Sequence, residues 1–142
     1  MGRRLEIPGK DKRYEVSLPG RVDAISPAVD EIMAHLHTRV LTQENAFAIE
    51  TALREALANA VLHGCKADAT KQVHCEVSWN DDGGIEILVR DPGEGFDPNS
   101  LSDPIRDENL RADHGRGIYL IRHLMDKVEH LNGGRAIRMR KS

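Results

Sequence analysis

The chain has 142 residues, of which 39% are hydrophobic and 30% charged, so it can bury one core and is too polar for a membrane protein. A net charge of −3 argues against direct nucleic-acid binding, because nucleic-acid-binding proteins are usually clearly basic. The uncharged stretch Ala56–Cys65 is too short to span a bilayer, and no signal peptide is expected from the polar, turn-prone Leu5–Pro8. The two cysteines, Cys65 and Cys75, indicate reduced thiols in a cytoplasmic protein.

Charge is unevenly distributed along the second half of the chain. Acidic residues dominate from Asp91 to Asp113, and basic residues dominate from Arg116 onward. This pattern is typical of a site that handles charged ligands, and equally of a solvated dipolar surface.

The first half of the chain predicts one strand and two helices. Residues 1–12 are polar and expected to be flexible, and Arg13–Leu18 alternates as a strand does. Ser26-Pro27 provides a capping hydroxyl and a proline suited to the first turn of a helix. A second, longer helix is predicted over Thr42–Gly64, with the glycine at its end.

The second half predicts strands over 72–79 and 85–89, a long loop over 92–114, a helix over 117–127, and strands over 128–131 and 135–140. The two glycine-rich turns, 80–84 and 132–134, predict hairpins. The order β-α-α-β-β-loop-α-β-β predicts an α+β fold. It is a two-layer sandwich with the helices on one face of a mixed, mostly antiparallel sheet, formed by a single domain over 13–142.

A stripe of three polar side chains follows the predicted second helix. Glu55, Asn59 and His63 lie four residues apart, so neighbours are offset by about 40° around the axis. The Asn59 amide oxygen is a hard ligand that suits Mg²⁺, and a carboxylate one turn away can accept a proton. The stripe predicts a ligand site; the alternative is an exposed polar face whose histidine caps the helix end.

A second motif, Asp91-Pro-Gly93-Glu-Gly95-Phe96, directly follows a predicted strand. Its glycines would let the backbone approach a flat ligand closely, and the carboxylate could accept a hydrogen bond from an amino group such as that of adenine. A plain Asp-Pro-Gly turn is the alternative.

A third motif, His114-Gly115-Arg116-Gly117, opens the predicted third helix. Glycines at a helix N-terminus are typical of anion sites, although Arg116 could equally be a surface residue. The sequence contains no P-loop, and Gly93 and Gly95 do not form a Rossmann fingerprint. Because its histidines and cysteines are scattered, the sequence predicts no zinc site.

Taken in order, the three motifs resemble those of the Bergerat-fold ATPases, which include gyrase-type ATPases and histidine-kinase catalytic domains. Glu55–Gly64 is similar to the N box, Asp91–Phe96 to the first glycine box and Gly115–Ile121 to the second. The loop 92–114 resembles the ATP lid of the family. Within the family, residues 13–141 most resemble the bacterial anti-sigma factor serine/threonine kinases.

The resemblance implies ATP and Mg²⁺ as cofactors and a role for each motif. Asn59 would ligate Mg²⁺ and Glu55 would act as the general base. The residues implied in nucleotide binding are Asp91 at the adenine amino group, Gly93, Gly95 and Phe96 around the base, Gly115, Arg116, Gly117 and Ile118 at the phosphates, and His63 at the pocket edge.

The resemblance also implies partners: an anti-anti-sigma (STAS-type) protein as the phosphorylation substrate, a sigma factor as the sequestered protein, and a second copy of the chain in a homodimer. One residue departs from the pattern, since Arg135 stands where such kinases commonly carry a threonine. Two alternatives therefore stay open, a partner-sequestering module without kinase activity and a detached histidine-kinase catalytic domain.

Overall fold

The computed structural model describes residues 2–6, 12–37, 43–80, 84–93 and 113–142, with the backbone alone for 2–6, 12, 37 and 113–116. Its strands are β1 (Gly2–Glu6), β2 (Lys12–Pro19), β3 (Gln72–Trp79), β4 (Ile85–Arg90), β5 (Lys127–Leu131) and β6 (Ala136–Lys141). Its helices are α1 (Ile25–His37), α2 (Gln43–Asn59) and α3 (Asp113–Leu124).

The strands form one six-stranded sheet in the order β1-β2-β3-β4-β6-β5. Each described strand pair is antiparallel, so the sheet is more regular than the mixed arrangement that the sequence predicted. The α+β fold class is confirmed, because the helices pack on one face of this open sheet.

The core lies between that sheet face and the helices. Alternate residues of β3 and β4 are buried and the residues between them are half-buried or exposed, as expected for a sheet covered on one side. The largest fully buried side chains include Leu18, Ile32, Leu36, Ile49, Leu53, Leu57, Ile85, Ile87, Ile121 and Met139. Burial of this apolar surface provides the main driving force for folding.

The structure corrects two predicted boundaries. No strand was predicted before Arg13, yet β1 pairs with β2 at the edge of the sheet. The sequence Gly2–Glu6 lacks apolar alternation, whereas an edge strand needs only the free backbone groups of its neighbour. The third helix begins at Asp113 instead of Gly117.

Helix α2 does not end as a regular α-helix. It continues into a π turn, Ala60–Gly64, in which the backbone N–H of Cys65 donates to the carbonyl of Ala60 at 2.8 Å. This i→i+5 bond widens the last turn by one residue. The helical segment therefore ends at Gly64, as predicted, but its last turn is a π turn. The π turn changes the direction of the residues that follow.

Two further findings bear on the predicted class of protein. Among the helices of the described residues, none has the length and hydropathy needed to cross a membrane. Cys65 and Cys75 are both free and buried, and burial raises the pKa of the Cys75 thiol to about 12.

Substitution of alanine for Leu53 tests the location of the core. Leu53 is 0% exposed beneath the sheet, so Leu53→Ala should lower the free energy of unfolding by about 2–5 kcal/mol. The matched control is Leu120→Ala on α3, which removes the same atoms from a side chain that is 37% exposed and should cost less than about 1 kcal/mol. Urea denaturation measures both values, and equal losses would contradict the packing described.

Candidate functional site

A cleft of about 510 Å³, open to solvent, lies where the helices meet the ends of the central strands. Residues from α2 and its π turn, from the end of β4, from α3 and from the β5–β6 hairpin line it. They are Ala56, Asn59, Ala60, His63, Gly64, Val89, Asp91, Ile118, His130, Gly134, Arg135, Ala136 and Ile137.

The π turn brings the end of α2 into this cleft. In a regular α-helix, residues five apart point about 140° away from each other. Asn59 and Gly64 are five apart, yet both line the cleft, as does the exposed His63. The widened turn therefore extends the polar stripe predicted from the sequence onto the wall facing β4, and π turns are frequent at functional sites.

Asp91 is held against the end of α2. Its carboxylate lies so close to the Cα of Gly64 that a Cβ at that position would overlap it, and its Oδ1 accepts a 2.8 Å hydrogen bond from the Gly93 N–H. The Asp91 N–H donates to the Arg135 carbonyl at 2.9 Å. A Cβ on Gly93 would lie 2.5 Å from the Gly64 carbonyl oxygen, so both positions require glycine for close approach.

The environment of Asp91 opposes its ionisation. Burial raises the pKa of this carboxyl, and the hydrogen bond from Gly93 and the charge of Arg135 offset part of the effect. An ionised carboxylate only accepts hydrogen bonds, so in this half-buried position it can select a ligand that presents an amino group. The contact of Asp91 with adenine stays a prediction.

Glu55 and Asn59 lie beneath α3. A Cβ on Gly117 would be 2.9 Å from Glu55 Oε2, 3.2 Å from Asn59 Nδ2 and 3.3 Å from Asn59 Oδ1. Gly117 therefore lets α3 cross directly over the polar pair. The carboxylate and the amide oxygen come together at one point beside the cleft, and hard oxygen donors of this kind fit Mg²⁺.

The third motif lies inside α3, because the helix begins at Asp113. The first backbone N–H groups of a helix, here including that of Gly115, have no partner within the helix and can bind an anion. Gly117 lies in the second turn and allows the close packing described above. Ile118 is 3% exposed and lines the cleft.

Several predicted site residues cannot be placed. Gly95 and Phe96 lie outside the described residues, as does most of the predicted lid, 92–114. For Gly115 and Arg116 only the backbone is described, within α3. The roles predicted for these residues stay predictions.

His130 lines the cleft and was missed by the sequence analysis. It lies on β5, on the same side as Val128, and is half-buried. Burial lowers the pKa of His130, and the charge of Arg122 lowers it further, so both effects favour the neutral form of the imidazole. The alternation along β5 was the available signal, since it places residues 128 and 130 on the inner face.

The fold is an α+β sandwich with a solvent-open cleft between its helices and strand ends. A family model described as "Histidine kinase-like ATPase domain" matches residues 18–141. The chain belongs to this family, as its three motifs predicted.

Within this family, the chain is similar to several curated proteins. The chain is 27% identical over 89 residues to an anti-sigma F factor of Priestia megaterium, covering 61% of this chain and 60% of the relative. It is 32% identical over 99 residues to an anti-sigma F factor of Heyndrickxia coagulans, covering 65% and 66%. It is 32% identical over 100 residues to the serine-protein kinase RsbW of Bacillus licheniformis, covering 66% and 62%. The chain thus spans less than two thirds of each relative.

Gly64→Ala tests the contact between α2 and Asp91. The added methyl group would overlap the carboxylate, so the free energy of unfolding should fall by about 1–3 kcal/mol. Without this contact, alanine in a helical turn would be neutral or stabilising. Gly84→Ala is the matched control, because its Cβ would meet the Asn80 side chain at 3.3 Å or more. A Gly64→Ala variant as stable as the parent in urea would contradict the described approach.

Asp91→Asn tests the electrostatics of the site through pH. Because the folded-state pKa is raised, the stability that this carboxyl contributes is complete below the ordinary value of 3.8 and is lost as the pH rises through the folded value. Asparagine does not ionise and keeps an oxygen that can accept from the Gly93 N–H. The variant should therefore be at least as stable as the parent at neutral pH, with the difference growing as the pH rises from acid. Urea titrations across pH measure it, and a variant that loses stability towards neutral pH would refute the assignment.

Proposed function

We propose that this chain is an ATP- and Mg²⁺-dependent protein-serine kinase that acts as an anti-sigma factor. It would phosphorylate an anti-anti-sigma (STAS-type) partner and sequester a sigma factor. The observation that carries the proposal is the meeting of the Glu55 carboxylate and the Asn59 amide at Gly117, beside the cleft. Membership of the ATPase family and the names of the relatives support it.

The adenine end of the nucleotide is assigned to the cleft formed by Asp91. Its carboxylate would accept a hydrogen bond from the exocyclic amino group, and the Gly64–Gly93 contact would keep the floor of the cleft free of side chains. The apolar side chains of Val89 and Ile118 would pack against the base. Gly93, with Gly95 and Phe96, would shape the remaining wall.

The phosphate end is assigned to α2 and the start of α3. Mg²⁺, when bound, supplies charge neutralisation to the phosphates, and Asn59 would hold it through its amide oxygen. The free N–H groups at the start of α3, with the Arg116 side chain, would bind phosphate oxygens. His63 would lie at the edge of this pocket.

Glu55 is assigned the role of general base. Its carboxylate would accept the proton of the serine hydroxyl as the hydroxyl oxygen forms a bond to the γ-phosphorus. The bond between that phosphorus and the bridging oxygen breaks, and ADP leaves with the electron pair. Much of the catalysis of phosphoryl transfer lies in positioning, and α2 carries both Glu55 and Asn59 on a rigid helix.

A second candidate function is a nucleotide-binding module that sequesters its partner without phosphorylating it. Arg135 favours this candidate, because it lines the cleft at the position where a threonine is usual. Its Nε donates to the Asn132 carbonyl at 3.0 Å, which holds the side chain along the hairpin. Glu55 favours the kinase, since a binding module has no need of a carboxylate beside the metal ligand.

The remaining assignments concern partners and place of action. We assign the protein to the cytoplasm, where buried thiols such as Cys65 and Cys75 stay reduced. A homodimer is proposed from the resemblance to the anti-sigma kinases. Neither nucleic acid nor membrane is assigned as a direct partner.

Glu55→Gln separates catalysis from binding. Phosphate transfer from labelled ATP to a co-purified STAS-type partner should fall at least about 100-fold, because glutamine cannot accept the proton. Affinity for ATP and Mg²⁺, measured by calorimetry, should stay close to that of the parent. Glu50→Gln is the matched control, since Glu50 lies on the same helix in an exposed ion pair with Arg54 at 3.8 Å.

One outcome of this experiment would count against Glu55 as the general base, and two would count against a protein-serine kinase. Equal transfer by Glu55→Gln and the parent would remove the general base. Binding of ATP and Mg²⁺ by the parent, with no transfer to any cognate partner, would favour the binding module. An acid-labile phosphorylated product would indicate transfer to histidine.

A further inference from the structure

We propose a transition-metal site, suited to Zn²⁺, on the sheet face opposite the described helices, formed by Glu15 of β2 with His74 and Glu76 of β3. One ligand atom from each of the three side chains lies within 4.8 Å of the other two. This trio, called here the sheet-face triad, belongs to the opposite face from the nucleotide cleft. It is independent of the proposed kinase function.

The register of β2 and β3 creates the triad. Glu15 is the cross-strand partner of Glu76, and Ser17 is the partner of His74. Residues two apart on a strand share a face, so all four side chains project from the same side of the sheet. Each member of the triad is half-buried, which restricts its side chain to a small volume.

The imidazole of His74 has a hydrogen-bonding neighbour on the adjacent strand. Its Nδ1 lies 3.1 Å from Ser17 Oγ. When Nδ1–H donates to that hydroxyl, Nε2 carries the lone pair that a metal requires. In metal-binding histidines, the ring nitrogen that does not bind the metal commonly donates a hydrogen bond. This bond orients the ring and raises the basicity of the other nitrogen.

The two glutamates attract a cation to this position, whereas Arg13 and Arg90, the cross-strand partner of His74 on β4, oppose one. Two carboxylates directly opposite each other on neighbouring strands repel, which destabilises the pair. Arg13 relieves part of this repulsion through a 2.8 Å contact between its Nε and Glu76 Oε1. A divalent ion between the glutamates would neutralise both, and Arg13 would compete with it for Glu76.

The ligand set points to zinc. One imidazole nitrogen and two carboxylate oxygens suit Zn²⁺, with water in the fourth position. Bonds of about 2.0–2.1 Å in a tetrahedron place the ligand atoms about 3.4 Å apart. The triad must therefore contract by about 1.4 Å at most, a movement within reach of glutamate side-chain rotation.

Calorimetric titration of the full chain with ZnCl₂, without nucleotide, tests the site. We expect one ion per chain. His74→Gln and Glu15→Gln should each weaken binding at least about tenfold, and Ser17→Ala should weaken it by about tenfold through loss of the orienting hydrogen bond. The control is His123→Gln, which changes an exposed histidine of α3 whose ring centre lies 4.3 Å from that of Tyr119 and should leave binding unchanged.

Arg13→Gln gives an effect of opposite sign. It removes the competitor for Glu76, so zinc should bind severalfold more tightly, a gain that misfolding cannot produce. Co²⁺ in place of Zn²⁺ should give a spectrum without thiolate charge-transfer bands. The proposal is overturned by absence of saturable binding, by His74→Gln binding like the parent, or by a Co²⁺ spectrum that shows cysteine ligation.

Discussion

The contact between the Asp91 carboxylate and the backbone of Gly64 is the constraint on which the site depends. It joins the end of β4 to the end of α2, and the hydrogen bond from Gly93 fixes the carboxylate in this position. The contact needs glycine on both sides and a π turn that directs Gly64 towards the sheet. Loosening any of these parts would separate the cleft wall that carries Asn59 from the strand end that carries Asp91.

A second close approach completes the cleft from the other side. Gly117 allows α3 to pack directly on Glu55 and Asn59 of α2. Helix α2 therefore contacts the sheet through its apolar residues and α3 through this polar pair. The two approaches together explain why one helix can serve both core and site. The opposite sheet face differs, since it carries charged side chains that pair across strands, as Arg13 does with Glu76.

How much of the fold could be predicted from the sequence depended on whether each element is specified by its own residues or by distant parts of the chain. The apolar alternation of β3 and the stripe of α2 arise from local periodicity, and both elements were predicted close to their observed bounds. Strand β1 was missed because an edge strand is recruited by its neighbour's backbone and leaves no side-chain signature. The start of α3 was placed too late because its glycines resembled a loop.

The sequence by itself determined the residue types of the site, since the chemistry of Glu55, Asn59 and Asp91 and their order along the chain already indicated the family. It also determined the fold class, because the periods of helix and strand are local properties. Only the tertiary structure decided that His130 lines the cleft and that Gly117 packs closely against Glu55 and Asn59. The sheet-face triad likewise appears only in three dimensions, because Glu15 and His74 come from strands far apart in the chain and meet through the register of β2 and β3.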